Sequence, residues 1–220
     1  MNNDVRHAPF HQRVRDYYAD KFRQFGPTPR GADWRDLEGQ ELRFAQLVKI
    51  CGKDRAGSLI ELGCGYGALY LYLRRRGWDM DYTGYDLAED MVHAARVTLG
   101  DDPSAKVAVG SRPGQVGEYC VASGIFNVRL GFSDAQWRNY MLETIDDIAR
   151  AAQKGFAFNV LTRFADPERM DPRLYYADPG ELLNHCLSSY GRHISLLHGY
   201  GLYEFTLLVW KGDALDSKTC

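Results

Sequence analysis

The sequence predicts an α/β fold, a mostly parallel sheet with helices on both faces that is finished by an antiparallel hairpin. Three observations predict it. Short apolar runs alternate with helix-period segments from about Leu42 onward, the rhythm of repeated strand–helix–strand crossovers. Gly63, Gly65 and Gly67 close the first apolar run and open the next helical one. Near the carboxyl end, two strand-like runs are joined by only Gly199-Tyr200-Gly201, too short for a parallel crossover.

The elements follow in order. "LRFAQLVKIC" has helical spacing and ends at Gly52; "SLIEL" is a short buried strand; "ALYLYLRRRG" is a helix closed by Gly77. "DYTGYDL" is a second strand, "AEDMVHAARVTLG" a helix, "AKVAVG" a third strand and "EYCVASGIF" a fourth. A long helix around "DAQWRNYMLETIDDIARAAQ", a strand "GFAFNVLT" and a helix "DPGELLNHCLSS", opened by Asp178 and Pro179, lead to the hairpin. Residues 1–41 differ in character. Tyr17 and Tyr18 sit in an amphipathic helical stretch, and "FGPTPRGADWRD" is a turn-rich connection. The expected organisation is an amino-terminal helical lid or arm over 1–41, one α/β domain over 42–212 and a tail over 213–220.

Composition narrows the function classes. The 220 residues are 45% hydrophobic, with a formal net charge of −2 and a pI near 6.3. Apart from Arg74-Arg75-Arg76, at an expected helix end, the cations are scattered, which disfavours nucleic acid as a partner. Five widely spaced cysteines contain no CxxC pair, so a reducing cytoplasm is expected and neither a disulfide framework nor a thiolate metal site is. No apolar run approaches the ~18 residues of a membrane helix.

The glycine loop raises the question of what it holds. Glycines between a strand and a helix let backbone approach a ligand while the helix amino terminus offers free N–H groups, but GxGxG alone also fits a dinucleotide site. Glu61, two residues before the first glycine, would repel a pyrophosphate and tolerate a cationic amino acid moiety. Asp86 ends the second strand about 20 residues further on, placed to accept from ribose hydroxyls. Together with the extra hairpin, these favour a nucleoside that carries an amino acid.

"LIELGCGYGALYLYLRRRGWDMDYTGYDLAEDM" resembles the first two motifs of the class I S-adenosylmethionine-dependent methyltransferases, and the order of elements over about 42–210 is similar to that family's Rossmann-like, seven-stranded sheet with a reversed last strand. "ASGIFNV", "FNVLT", "LYYADPGELL" and "LYEFTLLV" resemble a group of small bacterial methyltransferases. The resemblance implies S-adenosylmethionine as cofactor, with Glu61, Gly63 and Gly65 at its methionine part, Asp86 at the ribose, and Leu87 and Met91 flanking the adenine. Ser111 stands in "GSRPGQ", where the family often places an acid.

Ligands of open α/β sheets lie beyond the carboxyl ends of the strands. That rule adds Ser123 to the cofactor and gathers Phe126, Asn127, Arg129, Arg163, Tyr200 and Tyr203 for the acceptor, with the two arginines suited to a carboxylate. If the nucleophile arrives protonated, His198 and Tyr18 are the candidate bases. Tyr18 is also expected to cover the site, with Trp34 or Arg43 near the methionine carboxylate. "SGIF" after the fourth strand is not the [ND]PP[YF] of adenine or glutamine amide methyltransferases, and it lacks the acids a magnesium-dependent catechol enzyme needs. The reading is therefore a methyltransferase for a small molecule, an amino acid derivative or secondary-metabolite intermediate, without metal, nucleic acid or membrane. A catalytically silent binding subunit and an NAD-dependent oxidoreductase are the alternatives.

Overall fold

A computed structural model describes residues 3–212. The expected tail over 213–220 lies outside the described residues. The chain runs α1 (Asn3–Phe25), a 3-10 turn (Pro29–Ala32), α2 (Leu37–Leu47) and a second 3-10 turn (Val48–Cys51). It continues through β1 (Ala56–Leu62), α3 (Ala68–Arg75), β2 (Asp79–Asp86), α4 (Glu89–Leu99), β3 (Ala105–Val109) and β4 (Gly117–Ala122). After α5 (Asp134–Ala151) come β5 (Ala152–Leu161), α6 (Pro179–Tyr190), β6 (Ile194–Leu197) and β7 (Glu204–Trp210).

The seven strands form one sheet in the order β3-β2-β1-β4-β5-β7-β6. β1 to β5 pair in parallel, and β7 runs antiparallel to both β5 and β6. Strand order reverses between β1 and β4, which places a crevice at their carboxyl ends. Side-chain alternation divides the core between the two faces. Ile60, Leu62, Phe156 and Phe158 pack with Trp137, Met141 and Ile148 of α5, while Leu59 and Ala157 pack with Phe44 of α2 and Leu69 and Leu73 of α3.

Two boundaries differ from the sequence reading. α2 begins at Leu37 because the Asp36 side chain accepts from the Gly39 N–H at 2.8 Å, a cap that moves the helix start upstream; the expected boundary at 41/42 falls inside this helix. β4 stops at Ala122 because Gly124 takes a left-handed φ of +72°, and the residues from Ser123 on turn across the strand ends.

α1 is held on the domain by its own side chains. His7 Nε2 meets Glu143 at 3.0 Å, Phe10 stacks on Phe132 and Tyr140 with centroids 4.0 and 4.9 Å apart, and Arg13 donates to the Leu130 carbonyl. Phe10 and Val14 join the core on one face of the sheet, Tyr18 and Phe22 the core on the other. The helix therefore passes from one face to the other.

Candidate functional site

The glycine loop takes its shape from β2. The N–H groups of Gly63 and Cys64 both donate to the Tyr85 carbonyl, at 2.7 and 3.0 Å, and Asp86 accepts from the N–H of Gly65 at 2.8 Å and of Ala88 at 2.9 Å. Gly63 lies at φ +79°, and a Cβ there would stand 2.2 Å from Ile125 Cγ2. No side chain fits between the loop and the residues that follow β4.

Two carboxyls sit under the loop. Glu61 is 2% exposed and accepts from the Tyr82 hydroxyl. Burial pushes its pKa up to about 8, the Tyr82 hydrogen bond opposing and Asp86 adding to the rise. Burial likewise raises Asp86, against the backbone N–H groups it accepts from. Both shifts follow from removing water around a charged form.

Above the loop lies a cavity. Its walls include Glu61, Gly63, Gly65, Asp86, Leu87, Met91, Ser111 and Ser123 from the strand ends, and Tyr18 and Trp34 from the amino-terminal segment. Gln40, Tyr66, Tyr140 and Thr144 also line it; the sequence reading named none of them, because nothing in their spacing separates a wall residue from a packing one. Ser123 Oγ is closed off from solvent and has no hydrogen-bond partner among the described residues.

A second cavity opens beside the first. Arg43, Gly124, Asn127, Leu161, Leu174 and Tyr203 contribute to it, and Tyr18, Ala32 and Trp34 line both cavities. The partition is fixed from behind. The Arg43 guanidinium stacks 4.2 Å over the Trp34 ring, and a Cβ at Gly124 would stand 2.3 Å from the far edge of that indole. Asn159 accepts from the Gly124 N–H at 2.7 Å and donates to Glu204 at 3.1 Å, and Arg43 donates to Glu204 at 2.8 Å. A polar Asn in "AFNVL" and a Glu in "YEFTLLV" were signals for this buried network, since such groups inside apolar strands need partners.

Other expected residues lie elsewhere. His198, expected as a proton acceptor, is exposed at the end of the edge strand β6, edge-on to Phe205, and lines neither cavity. Tyr18 does line the site, where desolvation and the Asp33 charge push its hydroxyl pKa far up. Arg43 belongs to the second cavity and not, as expected, to the first.

Phe126 is 0% exposed, its carbonyl accepting from the Trp137 indole at 2.8 Å, and is core. Arg129 is taken up by the Pro172 carbonyl and Asp134, Arg163 by Asp178 at 3.0 Å. Tyr200 turns inward to Glu204 and Thr206. Asn127 and Tyr203 are in the second cavity as positioned. Among the described residues no three His, Cys, Asp or Glu side chains cluster as a metal would require, and no helix is long and apolar enough to cross a membrane.

Comparison with known proteins gives consistent matches. The methyltransferase domain family matches residues 11–202. The chain is 46% identical over 156 residues, 71% of its length and 94% of the relative's, to the predicted methyltransferase Rv1506c of Mycobacterium tuberculosis strain H37Rv. Among solved structures it is similar to the magnesium protoporphyrin IX methyltransferase of Synechocystis PCC 6803 with bound SAH, with a TM-score of 0.63, 14% identity, and 90% of this chain and 98% of that one covered. A DhpI–SAH complex gives a TM-score of 0.60 at 14% identity, covering 92% and 97%. At such identities the structural likeness speaks for the fold alone.

Proposed function

Because the chain belongs to the class I S-adenosylmethionine-dependent methyltransferases, we propose that it methylates a small molecule, an amino acid derivative or secondary-metabolite intermediate, at nitrogen or oxygen. One observation carries this reading: a cavity at the glycine loop and a cavity open to solvent share the wall of Tyr18, Ala32 and Trp34. Cofactor and acceptor occupy one chamber each.

The residues present fit the cofactor. Gly63 and Gly65 leave backbone open to its methionine part, Glu61 stands ready for a cationic amino group, and Asp86 has carboxylate lone pairs beyond its two backbone bonds for ribose hydroxyls. The unpartnered Ser123 Oγ gives a polar ligand a hydrogen-bond site that the protein itself leaves unfilled. Leu87, Met91 and Ser111 form the adenine end.

When bound, S-adenosylmethionine supplies a methyl group on a sulfonium that an aligned lone pair displaces. The chain's part is therefore alignment and exclusion of water. Residues 1–41 act as the lid, with α1 and the turn after it closing the strand ends through Val14, Tyr18 and Trp34. Neither cavity wall contains a histidine, and Tyr18 holds its proton, so the acceptor gives up any proton before transfer or to solvent. Four cysteines, Cys51, Cys64, Cys120 and Cys186, are free and buried, in keeping with a cytoplasmic enzyme.

The test uses purified protein, methyl-labelled S-adenosylmethionine and a metabolite extract divided into small and macromolecular fractions. Label in the small fraction is the expected result. Label only in the macromolecular fraction, or none in either while the cofactor binds, overturns the small-molecule acceptor, the second outcome in favour of a silent binding subunit. Tight NAD binding without any response to S-adenosylmethionine would overturn the cofactor assignment itself.

A further inference from the structure

The second cavity holds one cation in a fixed pose. Arg43 donates from Nε to Glu204 at 2.8 Å and from Nη1 to the Gly39 carbonyl at 2.9 Å, and its Nη2 has no partner among the described residues. Glu204 is 0% exposed and also accepts from Asn159 at 3.1 Å and Tyr200 at 3.3 Å, so its carboxylate cannot swing away. With Trp34 stacked beneath it, the guanidinium keeps one N–H edge for a ligand and little freedom to lose on binding one.

The remaining surroundings select the ligand's character. Val128, Leu161, Leu174 and Leu202 make apolar walls. The acids at this cavity are already committed. Asp33 accepts from Tyr17 at 2.6 Å and pairs with Lys21 at 2.7 Å, and Asp36 caps α2 and meets Arg35 at 2.8 Å. Arg35 and Arg169 add positive charge at the mouth.

We propose that the acceptor is an aromatic or apolar molecule bearing a carboxylate, that Nη2 of Arg43 holds this carboxylate, and that Glu204 is the positioning residue for Arg43. The inference rests on the second cavity being the acceptor's chamber. It assigns the carboxylate contact to Arg43, since Arg129 and Arg163 line neither cavity.

The probes are 2-naphthoate and 2-naphthamide, alike in shape and different in charge, titrated by calorimetry into the full chain with and without S-adenosylhomocysteine. A charge-assisted hydrogen bond predicts that naphthoate binds about tenfold or more tightly than naphthamide. In Arg43→Met the preference should fall below about twofold. That variant leaves Glu204 buried without its cation, so Arg43→Met/Glu204→Gln gives the same measurement in a neutral core, with circular dichroism reporting the fold of each. Equal binding of the two probes, binding of neither, or a preference that survives loss of Arg43 overturns the proposal. Failure of the wild-type protein to bind S-adenosylhomocysteine bears instead on the cofactor assignment, and the naphthoate comparison without it still decides the role of Arg43.

Discussion

Ionisation of Glu61 should couple cofactor affinity to pH. In the ligand-free protein its pKa stands at about 8, raised by burial above the ordinary carboxyl value, so at neutral pH the group is mostly protonated. A cationic amino group seated at the glycine loop favours the carboxylate, so binding releases a proton and affinity rises with pH until Glu61 is ionised unaided. At pH 6 about 1% of a group with this pKa is ionised and at pH 8 about half, so affinity should fall about fiftyfold, or about 2.3 kcal/mol, from pH 8 to pH 6. The facing groups act in opposite directions, with burial dominant. Asp86 adds like charge, the Tyr82 hydrogen bond offsets part of the rise, and the thiols of Cys64 and Cys120 are pushed up by burial and stay neutral. Calorimetric titration of S-adenosylhomocysteine at pH 6, 7 and 8, in two buffers of different ionisation enthalpy, reads both the affinity and the proton released. Glu61→Gln should bind with little pH dependence. Equal affinity at all three pH values with no proton release would refute the reasoning.

Asp86→Ala should weaken S-adenosylhomocysteine binding at least about tenfold, from the loss of charged acceptors; an unchanged Kd in a folded variant would exclude the ribose role. Gly124→Ala puts a side chain at φ +72°, costing about 1–2 kcal/mol, and drives its Cβ into the Trp34 indole, so calorimetry should find both cofactor and naphthoate binding weakened. Trp137→Phe leaves the buried Phe126 carbonyl without its donor, a loss of about 1–3 kcal/mol that thermal melting should record as several degrees in Tm.

The fold was largely legible because its signals are local. "SLIEL" followed by three glycines, and two strands joined by three residues, leave few topologies open. The first cavity was legible for the same reason, since Glu61, the loop and Asp86 are set by position along β1 and β2. The second was not. Which of Arg129, Arg163 and Arg43 faces a cavity depends on where Pro172, Asp134, Asp178 and Glu204 hold them, and these lie as many as 161 residues away in the chain. His198 misled because a strand end signals a site only beside the reversal of strand order, and β6 is the outermost strand.

The wall between the two chambers comes from outside the sheet: Tyr18, Ala32 and Trp34 all precede the first strand and none of them takes part in strand pairing. Changes in this helix end and turn therefore bear on the shape of both chambers, while the glycine loop and its carboxyls are set by β1 and β2. For a designer the shared wall sets a constraint: exchanging residues 18–36 between homologues should alter both chambers at once, the donor's as well as the other.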